Sequence, residues 1–168
     1  MRKSIRPLLG MALGMSVAFA APVSQSFAGP TETAFLQKYV GSYTGEGELR
    51  GGKTAEDVSC RLRLQSGEQR FRYTGRCVIG GESLPLSGTI SYSDERGTYV
   101  ASGTGLGTVA GQKSGNGVAF TLGREYRQKG QRGSANITFT LSGGAVAIDF
   151  AIRDEANGLL RANVPLSR

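Results

Sequence analysis

From Gly41 to the C-terminus, apolar residues recur at every second position in short runs, and each run stops at a turn signal. That period is the one at which side chains leave a single face of a β-strand. Tyr43, Gly45, Gly47 and Leu49 share one face of the first run, and Arg50-Gly51-Gly52-Lys53 turns the chain. Leu84, Leu86, Gly88, Ile90 and Tyr92 alternate next, and Asp94-Glu95-Arg96-Gly97 leads to Tyr99, Ala101 and Gly103. A weaker run covers Thr108 to Lys113 inside the least patterned stretch, Gly103 to Gly117. Val118, Phe120 and Leu122 resume the apolar face, followed by Ala135, Ile137, Phe139 and Leu141. After the Gly143-Gly144 turn come Val146, Ile148, Phe150 and Ile152, then Leu160, Ala162, Val164 and Leu166. Pro85 belongs at a strand start or edge, where a missing N–H costs no ladder bond.

Ahead of the strands, Phe35, Leu36, Tyr39 and Val40 fall at helical spacing behind Thr31-Glu32-Thr33, with Gly41 as the stop. No helical stretch separates the strands, which excludes a parallel βαβ arrangement. The pattern predicts an all-β fold: an antiparallel up-and-down meander of about ten strands closing into a barrel, with one short N-terminal helix. Closure is expected because an open sheet of that size leaves an apolar face and two edges exposed. Sandwich packing is the alternative. The 26 glycines among 168 residues, about twice the usual share, suit many tight turns.

The first segment reads as an address. Arg2, Lys3 and Arg6 precede an apolar run from Leu8 to Ala21, the order of a secretory signal. Two small-residue cleavage patterns are present, Ala18-Phe19-Ala20 and Ser26-Phe27-Ala28, and the second is preferred. The expected division is a signal peptide over 1–28 and one domain over 29–168. An uncleaved anchor is disfavoured because the run is short for a bilayer. The segment holds three of the 20 basic residues and none of the 13 acidic ones, so the remainder carries a net charge of +4. A periplasmic or secreted protein that does not span the membrane is expected.

An exported chain meets an oxidising compartment, so Cys60 and Cys77 read as a disulfide before they read as redox or metal groups. Val58, Cys60, Leu62 and Leu64 alternate with polar residues, as do Phe71, Tyr73, Gly75, Cys77 and Ile79 after Ser66-Gly67-Glu68. Pairing the cysteines sets Leu62 opposite Gly75 and Leu64 opposite Tyr73, and closes a tight turn near Glu68-Gln69.

Phe35-Leu36-Gln37-Lys38-Tyr39-Val40-Gly41-Ser42-Tyr43-Thr44-Gly45-Glu46-Gly47 resembles the opening of lipocalin-like and nitrobindin-like barrels of the calycin group. There a short helix leads into a Gly-x-Trp-x-Gly-x-Gly strand; Tyr43 stands at the Trp position. The chain also looks like small exported bacterial barrels whose second and third strands carry paired cysteines. The resemblance implies an interior that takes haem, fatty acids or other apolar molecules. Nitrobindin's haem ligand is a late His, and this chain has no His, so that function does not carry over.

The absence of His also excludes His-based triads and His-ligated metal sites. No catalytic residue, cofactor or metal is expected. Among carboxylates, Glu46, Glu48 and Asp149 have outward parity, the Asp94-Glu95 and Asp154-Glu155 pairs lie in turns, and Glu56 alone shares the inward parity of Val58 and Cys60. Arginines are more suggestive. Arg61 and Arg63 share an outward face with Arg70, Arg72 and Arg76 of the partner strand; Arg124, Arg127, Lys129 and Arg132 form a second basic cluster around Tyr126. Such faces attract anionic polysaccharide, lipid headgroups or acidic proteins, or are simply solvated. Export argues against nucleic acid.

The inward set Tyr43, Phe71, Tyr73, Tyr92, Tyr99 and Phe120, with Phe139 and Phe150, could line a cavity or fill a core. The inward glycines Gly45, Gly47, Gly75, Gly88 and Gly103 either make room for a ligand or allow strands to bend. The leading expectation is a non-enzymatic barrel binding a small apolar or amphipathic ligand inside. The alternative is an envelope interaction protein using the arginine face.

Overall fold

A computed structural model describes residues 30–52, 55–67, 70–104, 107–128, 131–154 and 158–168. The segment expected to be a signal, the turn expected at Glu68-Gln69, and Lys129 lie outside the described residues, as do the side chains of Tyr126 and Arg127. One helix, α1 (Pro30–Gln37), precedes the strands β1 (Gly41–Leu49), β2 (Glu56–Gln65), β3 (Phe71–Ile79), β4 (Glu82–Ser93), β5 (Thr98–Gly103) and β6 (Gly107–Ala110). The chain continues through β7 (Gln112–Ser114), β8 (Gly117–Gln128), β9 (Gln131–Ser142), β10 (Ala145–Asp154) and β11 (Gly158–Leu166). All ladders are antiparallel between chain neighbours, in a six-stranded sheet β1 to β6 and a five-stranded sheet β7 to β11.

The fold is therefore all-β, but in two sheets. The weak run expected over Thr108 to Lys113 is divided at Gly111 into β6 and β7, which brings the strands among the described residues to eleven. Gly111 is where the chain changes partners. Its N–H donates to Tyr99 O at 2.7 Å, and a Cβ there would lie 2.8 Å from the Phe120 ring. Before it the strand pairs with β5; after it, with β8. At the opposite margin β1 meets β11 through two reciprocal bridges. Thr44 and Ser167 exchange N–H···O bonds of 2.8 and 2.9 Å, and Arg50 and Arg161 exchange bonds of 2.8 Å.

Parity dictates the core. Along β2 every second residue, Val58, Cys60, Leu62 and Leu64, is buried, while the residues between are exposed. The buried residues of both sheets, Leu122 apart, form one cluster that takes in Leu36 of α1 and Tyr39 just after it. α1 ends at Gln37, earlier than its apolar spacing suggests, and Arg168 holds the segment that follows. Its guanidinium donates to Lys38 O at 2.5 Å and to Tyr43 Oη at 3.2 Å, and it lies 5.4 Å from the Tyr43 ring centroid. The Gly143-Gly144 turn has φ of 60° and 84°, the left-handed pair that a two-residue hairpin loop requires and glycine accepts without strain.

The cysteine hairpin has the register expected from its alternation: Cys60 faces Cys77, Leu62 faces Gly75 and Leu64 faces Tyr73. Cys60 and Cys77 form a disulfide, 1 % and 0 % exposed. Closing a loop with a sequence separation of 17 contributes about 3 kcal/mol by restricting the unfolded chain. Reduction is expected to lower unfolding stability by about that amount, read from urea transitions with and without reductant.

Candidate functional site

The outward face of β2 and β3 gathers cations. Arg61 pairs directly with Arg76, Arg63 with Thr74, and Gln65 with Arg72, so Arg63 lies diagonally between Arg72 and Arg76. Cross-strand neighbours at that spacing reach one another. Arg70, immediately before β3, extends the row, and all five arginines are exposed. The flanking strands add hydroxyls: Ser42 and Thr44 on β1 face Arg63 and Arg61, and Thr89 on β4 faces Arg72. Acidic residues lie toward the other end of the same sheet, where Glu46, Glu48 and Asp57 follow. Among the described residues the ion pair formed is Arg50 to Glu48, at 2.6 Å. The face is thus polarised, with positive charge concentrated behind the disulfide.

Such crowding of like charge is unfavourable for the sheet on its own and attractive to anions. The disulfide lies one register step from the Arg61–Arg76 pair, where it holds together the two strands that these charges push apart.

The interior aromatics separate into three places. Tyr43 and Phe71 are 3 % and 4 % exposed core residues, and the Tyr43 hydroxyl donates to Tyr39 O at 2.9 Å. Tyr73 and Phe120 border a cavity of about 30 Å³ whose other walls include Leu62, Leu86, Leu122 and Phe139. That is space for about two water molecules. The Tyr73 ring stacks on Phe139 at 5.9 Å, and its hydroxyl donates to Ser102 O at 3.0 Å. Tyr92 and Tyr99 are half-buried, edge to face at 5.2 Å, and line a shallow surface groove with Phe35.

Gly45, Gly47, Gly75 and Gly88 of the inward set are places of close strand approach. A Cβ on Gly75 would strike Arg61 O and come within 2.9 Å of Leu62 Cα; one on Gly88 would strike Ser102 O and come within 2.5 Å of Tyr73 Oη. At the margin between the sheets, a Cβ on Gly47 would lie 2.5 Å from Asn163 O. Alternation missed this distinction because it reports facing, not separation.

Glu56 needs a correction: despite its inward parity and its place opposite the buried Leu49, it is exposed, as the first residue of β2. Asp149 points outward and accepts from Asn163 Nδ2 at 2.6 Å. In the second basic cluster, Arg124 and Arg132 are exposed.

No family model matches the chain, and no curated protein matches it. Among solved structures it is similar to the crystal structure of Rv2717c from M. tuberculosis, with 15 % identity, 83 % of this chain and 98 % of that chain covered, and a TM-score of 0.50. That likeness is one of fold.

Burial shapes the tyrosines. It pushes the Tyr99 hydroxyl up to about 12, with Glu32, Tyr92 and Tyr39 adding to the effect. Burial likewise raises Tyr73, and raises Tyr39 against a lowering hydrogen bond from the Gly144 backbone. A raised folded value favours the neutral phenol, so its contribution to stability is complete below the ordinary value near 10 and is lost as pH climbs toward 12. Urea midpoints are expected to fall over that window, with part of the phenolate absorbance appearing only near its upper end.

Proposed function

We propose that this protein is an exported, non-enzymatic scaffold whose outward arginine face binds an anionic component of the cell envelope. The observation that carries the reading is the group of exposed arginines on β2 and β3, with Arg61 directly opposite Arg76 and serine and threonine beside them. Guanidinium forks suit carboxylate and phosphate, and neighbouring hydroxyls add hydrogen bonds. The buried disulfide fits the oxidising compartment implied by residues 1–28. Among the described residues no helix is long and apolar enough to cross a membrane.

In this reading the two sheets are one closed barrel of the calycin type. The bridges at Thr44–Ser167 and Arg50–Arg161 lie six residues apart on both strands, so one antiparallel register runs through them. At the other margin, the chain through Gly111 pairs with β5 on one side of the break and β8 on the other. Closure would also account for the glycine-mediated approach of β1 to β11.

The test is titration of the mature protein with a polyuronate and, separately, with vesicles containing phosphatidylglycerol, at low and physiological salt. Saturable binding to one of them that weakens steeply with salt supports the reading. No binding to either at low salt overturns it.

A second reading, an apolar ligand held inside, is favoured by the apolar walls of the cavity beside Tyr73 and Phe120. At about 30 Å³ the cavity would have to enlarge well toward the several hundred Å³ of ordinary ligand pockets. Native mass spectrometry of protein taken from its export compartment separates the two: extra mass lost on denaturation favours the interior ligand, and a bare chain favours the outer face.

A further inference from the structure

The charges behind the disulfide form a strip rather than a broad patch. Arg61 and Arg63 lie on β2 and Arg72 and Arg76 on β3, adjacent strands about 5 Å apart. From Arg70 to Arg76 the strip runs six residues, about 20 Å at the rise of an extended strand. Neither flanking strand, β1 or β4, contains a Lys or Arg. Hydroxyls stand there instead: Ser42 and Thr44 face Arg63 and Arg61, Thr89 faces Arg72, and Thr74, inside the strip, lies between Arg63 and Ser87.

The strip is closed at one end. Beyond Arg61 and Arg76 the next pair on this face is Ser59 with Val78. Glu46 stands opposite Ser59, and the following pair is Glu48 with Asp57. Glu46 and Asp57 are both exposed, so an anion extended past Arg61 meets like charge.

These features select among anions. A lone carboxylate held between Arg61 and Arg76 leaves Arg63, Arg70 and Arg72 unanswered, so a ligand that matches the strip carries several anions in a row. An anionic bilayer presents a wide charged plane that would also press on Glu46 and Asp57, whereas a strip one strand pair wide suits a single chain. Hydroxyls along both margins suit a chain that has hydroxyls of its own, which an inorganic polyphosphate lacks.

Resting on the reading of the arginine face above, we propose that its ligand is a linear polyuronate lying along β2 and β3. Its carboxylates meet the arginines, its ring hydroxyls meet the serines and threonines, and the bound stretch ends before Glu46 and Asp57. About four rings cover a strip of that length.

The probe is a ladder of oligogalacturonates from dimer to octamer, titrated into the mature protein at low salt. Affinity is expected to rise at least about tenfold from dimer to tetramer, as one further charge-assisted contact would give, and by less than about threefold from tetramer to octamer. Glu46→Lys together with Asp57→Lys lengthens the strip and is expected to move the plateau toward the hexamer; charge acting only at long range would strengthen every length alike. Thr74→Val, which keeps a β-branched side chain, is expected to weaken the tetramer about threefold and leave linear tetraphosphate unaffected. The proposal is overturned if dimer and octamer bind alike, if affinity climbs evenly through the octamer, if linear tetraphosphate binds more tightly than the tetramer, or if phosphatidylglycerol vesicles bind and the ladder does not. Each of those results still leaves an anion on the arginine face, whereas absence of binding by ladder and vesicles alike removes that face's role as well. A dimer that the ladder cannot dissociate would make the acidic end of a second copy the occupant and also overturns the proposal.

Discussion

Replacing Arg61, Arg63 and Arg72 together by glutamate is expected to lower affinity for the anionic partner by at least about 100-fold while leaving the fold as stable as before, or more so. The loss follows from removing three charge-assisted contacts, each contributing about 1.5 kcal/mol or more, and setting three like charges in their place. The stability expectation follows from register. Arg61 lies directly opposite Arg76, so Arg61→Glu turns a repulsive cross-strand pair into an attractive one, a change of about 1 kcal/mol. All three side chains are exposed, so the substitutions open no cavity. Binding isotherms and urea transitions on the same preparations measure both effects. Retained binding would remove the arginine face from consideration. A large stability loss would mean that the charges are already answered by groups within the fold.

Gly88→Ala is expected to destabilise the protein by about 3 kcal/mol, or roughly 10 °C in melting temperature, although it adds a single methyl group. The new Cβ would collide with Ser102 O and lie 2.5 and 2.6 Å from the Tyr73 Oη and Cζ atoms. Relieving that collision means moving β5 or displacing the Tyr73 hydroxyl from its bond to Ser102 O. Gly123→Ala is the control, since its new methyl would meet only the Asn136 side-chain oxygen, at 2.9 Å, which can swing aside. Thermal melts of the two variants decide between the roles open to inward glycines. If Gly88 served to make room for a ligand, Gly88→Ala would melt like the parent and fail only in ligand uptake.

The parts of the fold legible in the sequence are those governed by parity. Val58, Cys60, Leu62 and Leu64 alternate with exposed residues because one face of β2 is buried, and that suffices to set the cysteine register and to bring Arg61 opposite Arg76. The arginine face was visible for the same reason. Depth was not legible. Glu56 has inward parity but ends its strand in solvent, and Tyr92 and Tyr99 share the parity of Ile90 and Ala101 yet are only half-buried, beside Phe35. Interior volume was hidden too, because the distance between sheets depends on how Tyr73 stacks on Phe139 and on where glycines let strands meet. The break at Gly111 falls in a short polar run, Gly111 to Ser114, whose alternation does not reveal that it changes partners. Nor does any residue pattern announce that β8 runs far beyond β7, with which it pairs over Gly117, Val118 and Ala119.

The most direct test of the arginine-face account is a backbone and guanidinium NMR map of the mature protein during titration with a short oligouronate and with phosphatidylglycerol headgroup. Shifts confined to Arg61, Arg63, Arg70, Arg72 and Arg76 and the hydroxyl residues beside them are the predicted result. Shifts centred on Tyr73, Phe120 and Leu122, with the arginines unmoved, would contradict it and place the ligand inside.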